Sequence, residues 1–222
     1  ERMTAQIRGL NMAAKNANDG LSMLATIENA TNDVTDMLHR MRELAVQAVN
    51  DTNSGTDRSY LNNEVQSLIS EINRVSSDTE YNGAAVLNGD LSAAAFQVGT
   101  ESGQTITFSV ASVDAETLFA GVSVGVDTAE NAESALSTIT TAIETVASNR
   151  ATYGALQNRL EYTVSNLLNV AEFTTAARSR IEDADFAAES ARLAKAQVLQ
   201  QTGTAMLAQA NASQQLALSL FR

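Results

Sequence analysis

Residues 41–66 read MRELAVQAVNDTNSGTDRSYLNNEVQ. The stretch opens with helical spacing, dissolves into Asn, Asp, Thr, Ser and Gly, and regains helical spacing at Leu61, Val65 and Leu68. Asn50 through Thr56 carry turn chemistry, and Thr56 or Asp57 suits the N-cap of a following helix. The spacing therefore predicts two helices folded back antiparallel, the second over about 57–77 with Ile72 and Val75 on its apolar face.

Upstream, Met3, Ile7, Leu10, Ala14, Ala17, Leu21 and Leu24 follow steps of four and three. The stripe continues as two seven-residue series, Ile27, Val34, Met41, Ala48 and Ala30, Met37, Leu44. The three-residue step from Leu24 to Ile27 is a stammer of the kind that overwinds a coiled coil. One helix over about 3–49 accounts for all of it.

Downstream, Asn82-Gly83 and Asn88-Gly89 are turn signals, and AAFQV and TITFSV, separated by GTESGQ, read as a β-hairpin within a region of about 82–127. A short helical turn is expected near Asp114 to Leu118, with irregular chain beyond it. From about 128 the series Ile139, Val146, Tyr153, Leu160, Leu167, Thr174, Ile181 and Ala188 resumes the heptad. A helix over 128–180 would be about 80 Å long at 1.5 Å per residue, far beyond a compact domain, so it needs partners along its length. Leu199, Met206, Ser213 and Leu220 then form one series and Ala196, Gly203, Ala210 and Ala217 another, whose small residues permit close approach of a further helix. Residues 1–181 leave no helix to fill that role, so its partner is expected outside the chain as given.

The predicted fold is mainly α: a long antiparallel helical rod or coiled coil of three main helices with a small inserted β-hairpin, plus a C-terminal helix. The expected division is a core domain over 1–181 and a terminal helix over 182–222.

Composition agrees. The 222 residues contain no Pro, no Cys and no Trp, which permits long unbroken helices and excludes disulfides and Cys-type zinc sites. A formal charge of −12 argues against general affinity for nucleic acid or anionic membrane. No apolar run is long enough to span a bilayer, and ERMTAQIRGL lacks the apolar centre of a signal peptide. The first residue is Glu, so the sequence reads as a fragment or a processed chain.

Catalytic chemistry finds little support. His39 is the only histidine, without a metal-binding or nucleophilic companion, and is expected at an exposed, non-catalytic position. The carboxylates of EDADF at 182–186 read as dipole partners near a helix start, because the glycine turn of a calcium loop is missing. No cofactor or metal is predicted, and no enzyme.

NANDGLSML at 16–24, MRELAVQAVNDTNS at 41–54, EINRVSSDTEYNGAAVLNG at 71–89, GALQNRLEYTVSNL at 154–167, ARSRIEDADFAAE at 177–189 and AQVLQQTGTAMLAQAN at 196–211 resemble, in order and over nearly the whole chain, the core of bacterial flagellin. The resemblance implies a secreted, extracellular structural subunit that polymerises with other flagellin subunits into the filament used for swimming. It further implies an export chaperone on the C-terminal segment, contacts with filament cap and hook-junction proteins, and a terminal coiled coil whose N-terminal helix this chain lacks. Members often carry large outer domains after the hairpin, where this chain has only about residues 111–127.

The terminal coiled-coil seam, also the expected chaperone surface, comprises Leu199, Met206, Ala210, Ala217 and Leu220. Paired charges at Arg42, Glu43, Arg150 and Arg159 are candidate subunit contacts. The stretch matching 38–66 is, in many flagellins, recognised by Toll-like receptor 5, and the matching contact positions are Arg40, Leu44, Gln47 and Glu64. The first three share a helical face by spacing, so an exposed Arg and Leu are expected beside the polar corner. The rival readings are a hook–filament junction protein and a secreted binding or adhesion module.

Overall fold

The computed structural model describes residues 1–220, without the side chains of 183–185 and 214–220. Its elements are α1 (Arg2–Val49), α2 (Gly55–Asp78), β1 (Glu80–Tyr81), β2 (Ala84–Ala85), β3 (Ala94–Gln97), β4 (Thr105–Phe108), α3 (Ala115–Leu118) and α4 (Ala129–Leu220). Two units are distinguishable by packing: Arg8–Val170, and Glu1–Ile7 together with Ala171–Arg222. The mainly helical class with a small sheet inserted between long helices is as expected.

In the larger unit the α1 heptads face inward: Ile27, Val34, Met41, Ala48 and Leu44 are buried, joined by Leu24, Leu38 and Ala45. Val65 and Ile72 of α2 and Ile139, Val146, Tyr153, Leu156 and Leu160 of α4 complete the same core. Each large aliphatic side chain so buried contributes about 1.5–3 kcal/mol. Thr31 is buried within this stripe and donates its hydroxyl to the Glu28 carbonyl at 2.9 Å, so the polar atom costs little. Across the helices, the Gln157 amide donates to the Glu28 carboxylate at 3.0 Å.

The polar corner is helix-end chemistry. The first cap of α2 is Ser54 rather than Thr56 or Asp57: its hydroxyl accepts from the Asp57 amide at 3.2 Å, and the Asp57 carboxylate accepts from the Ser54 amide at 3.0 Å. This reciprocal pair satisfies two donors that a helix start leaves open. Arg58 serves the other helix, its Nε donating to the Ala48 carbonyl at 2.8 Å and a second guanidinium nitrogen donating to that of Asn50 at 3.1 Å. Asn53 also donates to the Gln47 and Asn50 carbonyls. Carbonyls at the end of α1 thus find donors in the residues that start α2.

Asn82-Gly83 closes a hairpin of its own, β1 pairing with β2 as Tyr81↔Ala84 and Glu80↔Ala85, in addition to the expected one. Both turn residues have positive φ, 53° and 79°, as a two-residue hairpin turn of this hand requires. The expected hairpin pairs β3 with β4 in the register Ala94↔Phe108 and Phe96↔Ile106. Ile106 and Phe108 face the core while Thr105 and Thr107, which alternate with them, face out. Phe96 stacks on Phe108 with ring centroids 4.8 Å apart. A Cβ added to Gly20 of α1 would stand 2.9 Å from the Phe96 ring, so glycine is what lets the hairpin lie against the helix. The Asn16 amide of α1 donates to the Gln97 carbonyl at 3.1 Å, on the same side.

Polar side chains of α2 hold the chain between the hairpin and α4. Asn73 accepts from the Ala115 amide at 2.9 Å, Asn62 from that of Val126 at 2.9 Å, and Gln66 donates to the Val124 carbonyl at 2.9 Å. These bonds replace the partners that a sheet would have offered the backbone. The expected helical turn is α3, capped by Asp114.

The third long helix does not end near 180. α4 continues through 182–186, so those residues lie inside a helix and the expected reading of their carboxylates as partners of a helix start is corrected. No Gly or Pro interrupts the stretch, and Arg178 and Glu182 stand 3.7 Å apart one turn from each other. The side chains of 183–185 lie outside those described. In the smaller unit a guanidinium nitrogen of Arg178 donates to the Thr4 hydroxyl at 3.4 Å.

Gly20→Ala should destabilise the larger unit, because crowding at the stacked ring, about 1–3 kcal/mol, outweighs a helix-propensity gain of about 1 kcal/mol. Gly154→Ala, where the added methyl meets nothing within 4 Å, should stabilise by up to about 1 kcal/mol; urea unfolding of both variants checks the pair. Arg58→Ala should cost about 1.5–3 kcal/mol in the same measurement, as charge-assisted bonds to the carbonyls of Ala48 in α1 and Asn50 just beyond it are lost. The Ser54 hydroxyl and amide hold the Asp57 carboxyl below its usual pKa. A depressed folded pKa means that the stabilising contribution is complete above the unfolded value, about 3.9, and is lost as pH falls through the folded one. Asp57→Asn should therefore flatten the acid limb of the stability profile, read from unfolding midpoints at a series of pH values.

Candidate functional site

Two regions of helix surface carry most of the candidate residues. On the first, the capping at the corner fixes α1 and α2 side by side, and Arg40 reaches across to Glu64, its Nε donating to the carboxylate at 2.8 Å. A second guanidinium nitrogen of Arg40 donates to Glu43 at 3.1 Å. The two carboxylates raise the Arg40 pKa, Glu64 more than Glu43. All three charged groups are largely open to solvent, so screening leaves the network little stabilising weight. Their chemistry is that of a solvated, planar donor group on a rigid helix, available to a partner. Gln47 is exposed two helical turns from Arg40 towards the corner, its side chain open to solvent.

Leu44 corrects the expected picture. Its side chain is 1% exposed and belongs to the core between the helices. The heptad position, midway between Met41 and Ala48, decides its direction, and the exposed side chains are Arg40 and Gln47 on either flank. The apolar residue presented to solvent here is instead Val46, which lines a shallow open concavity with His39, Arg42 and Glu43. His39 is exposed, as expected. Sequence spacing placed Val46 outside both heptad series, which is the signal that could have found it.

Arg159 is exposed on α4 and lines an open groove with Asn158, Tyr162 and Asn166. Arg150 differs. It is half-buried, and its Nε lies out of solvent without a hydrogen-bond partner. The four charged candidates Arg42, Glu43, Arg150 and Arg159 thus do not form one cluster: Arg42 and Glu43 share the concavity on α1, and the other two stand apart on α4.

The second region is the far part of α4. The heptad series is buried through Leu167, half-buried at Thr174 and exposed at Ile181. Beyond that, Leu193, Val198, Leu199, Met206 and Leu207 are exposed, with Ala210 also open. Ala217 and Leu220 lie on the helix, with side chains outside those described. No charged residue occurs between Lys195 and Arg222. In the smaller unit six acidic and six basic residues cancel, so the whole charge of −12 belongs to the larger one. Among the described residues no group of His, Asp or Glu is placed to hold a metal ion.

The chain has close counterparts. Residues 1–92 match the bacterial flagellin N-terminal helical region and residues 136–221 the bacterial flagellin C-terminal helical region. Flagellin of Halalkalibacterium halodurans is 40% identical over 223 residues, spanning all of this chain and 82% of that protein. The flagellar filament 33 kDa core protein of Treponema phagedenis is 39% identical over 239 residues, spanning all of this chain and 83% of that protein. The crystal structure of Bacillus cereus flagellin superposes with a TM-score of 0.59 at 30% identity, covering 69% of this chain and 88% of that one. The chain belongs to the bacterial flagellin family, and with it to the non-enzymatic structural subunits that polymerise into the extracellular flagellar filament.

Proposed function

We propose that the subunit joins its neighbours through the far face of α4, with Leu199, Met206 and Ala210 forming the seam and Ala217 and Leu220 continuing its spacing. The observation that carries this is an exposed apolar face on a stretch without a single charge. Leu199 is 62% exposed and Met206 72%. Such a face in water favours association, and a unit of zero net charge does not oppose it by repulsion. In this reading residues 182–222 act as the filament-core segment and the rest of the chain as the outer part of the subunit. Before assembly the same face is the part that an export chaperone covers during secretion, and the cap and hook-junction proteins meet the subunit through the same kind of helix packing.

Arg42, Glu43 and Arg159 are exposed charges that serve lateral contacts between subunits, and the buried Nε of Arg150 is a donor with capacity for an acceptor. For Toll-like receptor 5 the reading is a polar contact made by Arg40, Gln47 and Glu64, with Leu44 beneath them as the packed support that sets their positions. Arg of this kind, held on a rigid helix, is a common anchor of protein interfaces.

Purified protein added to sheared filament seeds and viewed by electron microscopy tests the seam. Leu199→Asp should abolish lengthening of the seeds while circular dichroism keeps its helical signal, and lengthening at the unsubstituted rate would refute the seam. At the corner, Arg40→Ala should leave the unfolding free energy within about 1 kcal/mol, since exposed ion pairs contribute no more, and weaken receptor binding by tenfold or more. Unchanged receptor affinity would remove Arg40 from the contact.

A further inference from the structure

We propose that Met206 is a modification site, at which oxygen transfer from a peroxide to the thioether of the free subunit gives the sulfoxide and blocks assembly. The inference rests on the seam reading above. Of the six methionines, Met23 and Met41 are buried and Met3 and Met37 half-buried, whereas Met12 and Met206 are open, at 55% and 72% exposure. Exposure decides which thioethers a dissolved oxidant reaches.

The two open methionines differ in what surrounds them. Met12 lies between Arg8 and Lys15 on its helix face, where another polar group changes little. One helical turn to either side of Met206 stand Thr202, Gly203, Gln209 and Ala210, all uncharged, and Leu207 and Leu199 extend the apolar face. Nearby hydroxyls are committed: Thr202 donates to the Val198 carbonyl and Thr204 to that of Gln200 at 3.1 Å. Of these four neighbours only Gln209 has a side-chain N–H to offer a sulfoxide oxygen, and wherever that amide does not reach it, burying the acceptor unpaired in the seam is costly.

The chemistry balances without help from the protein. A sulfur lone pair attacks one peroxide oxygen, the S–O bond forms as the O–O bond breaks, and the departing hydroxide takes the proton from the transferred oxygen to leave as water. Sulfur loses two electrons and the peroxide gains them. A sulfoxide reductase restores the thioether with two electrons from a pair of thiols, which become a disulfide as the oxygen leaves in water, so the modification acts as a switch on free subunits.

The test uses hydrogen peroxide on the free subunit, with peptide mass spectrometry for each methionine and seeded filament lengthening as the readout. Met206 should oxidise at least about tenfold faster than Met23 and Met41. Seed lengthening should fall about tenfold or more and return after treatment with the methionine sulfoxide reductases for both epimers and a thiol reductant. Met206→Leu, whatever its own rate, should lengthen seeds equally before and after the same peroxide treatment. Oxidation of Met206 no faster than that of the buried methionines would overturn the proposal, as would equal loss of lengthening in Met206→Leu. Leu199→Asp separates the two levels of the reading. If it stops lengthening while oxidised subunits lengthen normally, the oxidation switch alone fails; if Leu199→Asp also lengthens normally, the seam itself is wrong.

Discussion

The apolar stripe of α1 is the constraint to which the rest of the larger unit answers. A single helix carrying Leu24, Ile27, Val34, Leu38, Met41 and Leu44 on one side cannot stand in water on propensity alone, because most helical stability in proteins comes from covering such a face. α2, α4 and the extended chain between them are the cover, and each element's details follow from that service. Glycine stands at position 20 because an aromatic ring from the hairpin closes over the helix there. Ser54, Asp57 and Arg58 stand at the corner because two helices that end in the same place must satisfy their open amides and carbonyls from a few side chains.

Much of this could be read in advance, because seven-residue spacing reports burial directly. Ile139, Val146, Tyr153, Leu160 and Leu167 are all buried, and the exposed end of their series at Ile181 marks where intramolecular cover stops. Leu44 shows the limit of a second kind of reasoning. Its heptad position put it inside, its likeness to a receptor-contact position put it outside, and packing in this chain follows the heptad. The start of α2 was misplaced because Thr56 and Asp57 are good caps by residue type. Only the reciprocal bond between Ser54 and Asp57 reveals which residue begins the helix.

The continuity of α4 was hidden for a related reason: clustered aspartates resemble a helix start, yet without Gly or Pro nothing stops a helix that is already running. The role of Asn62, Gln66 and Asn73 had no sequence signal at all. Asparagine and glutamine on a helix usually face solvent, and only the path of the chain from 110 to 127 makes them the backbone partners of an irregular segment. Likewise residue type alone groups Arg42, Glu43, Arg150 and Arg159, whereas geometry disperses them, two sharing a concavity on α1 and two standing apart on α4.

The segregation of charge divides the subunit's response to its surroundings. Long-range charge effects belong to the larger unit, which carries the whole net charge, whereas the terminal unit answers to salt and pH through local pairs such as Arg178–Glu182 and its residues 196–221 carry no charge. Contacts made by that stretch answer instead to temperature, since apolar association near room temperature is driven by entropy and weakens on cooling. A polymer joined through the proposed seam would be sensitive to cold at its joints and to salt on its surface, and the two sensitivities could be tuned by substitutions in different parts of one chain.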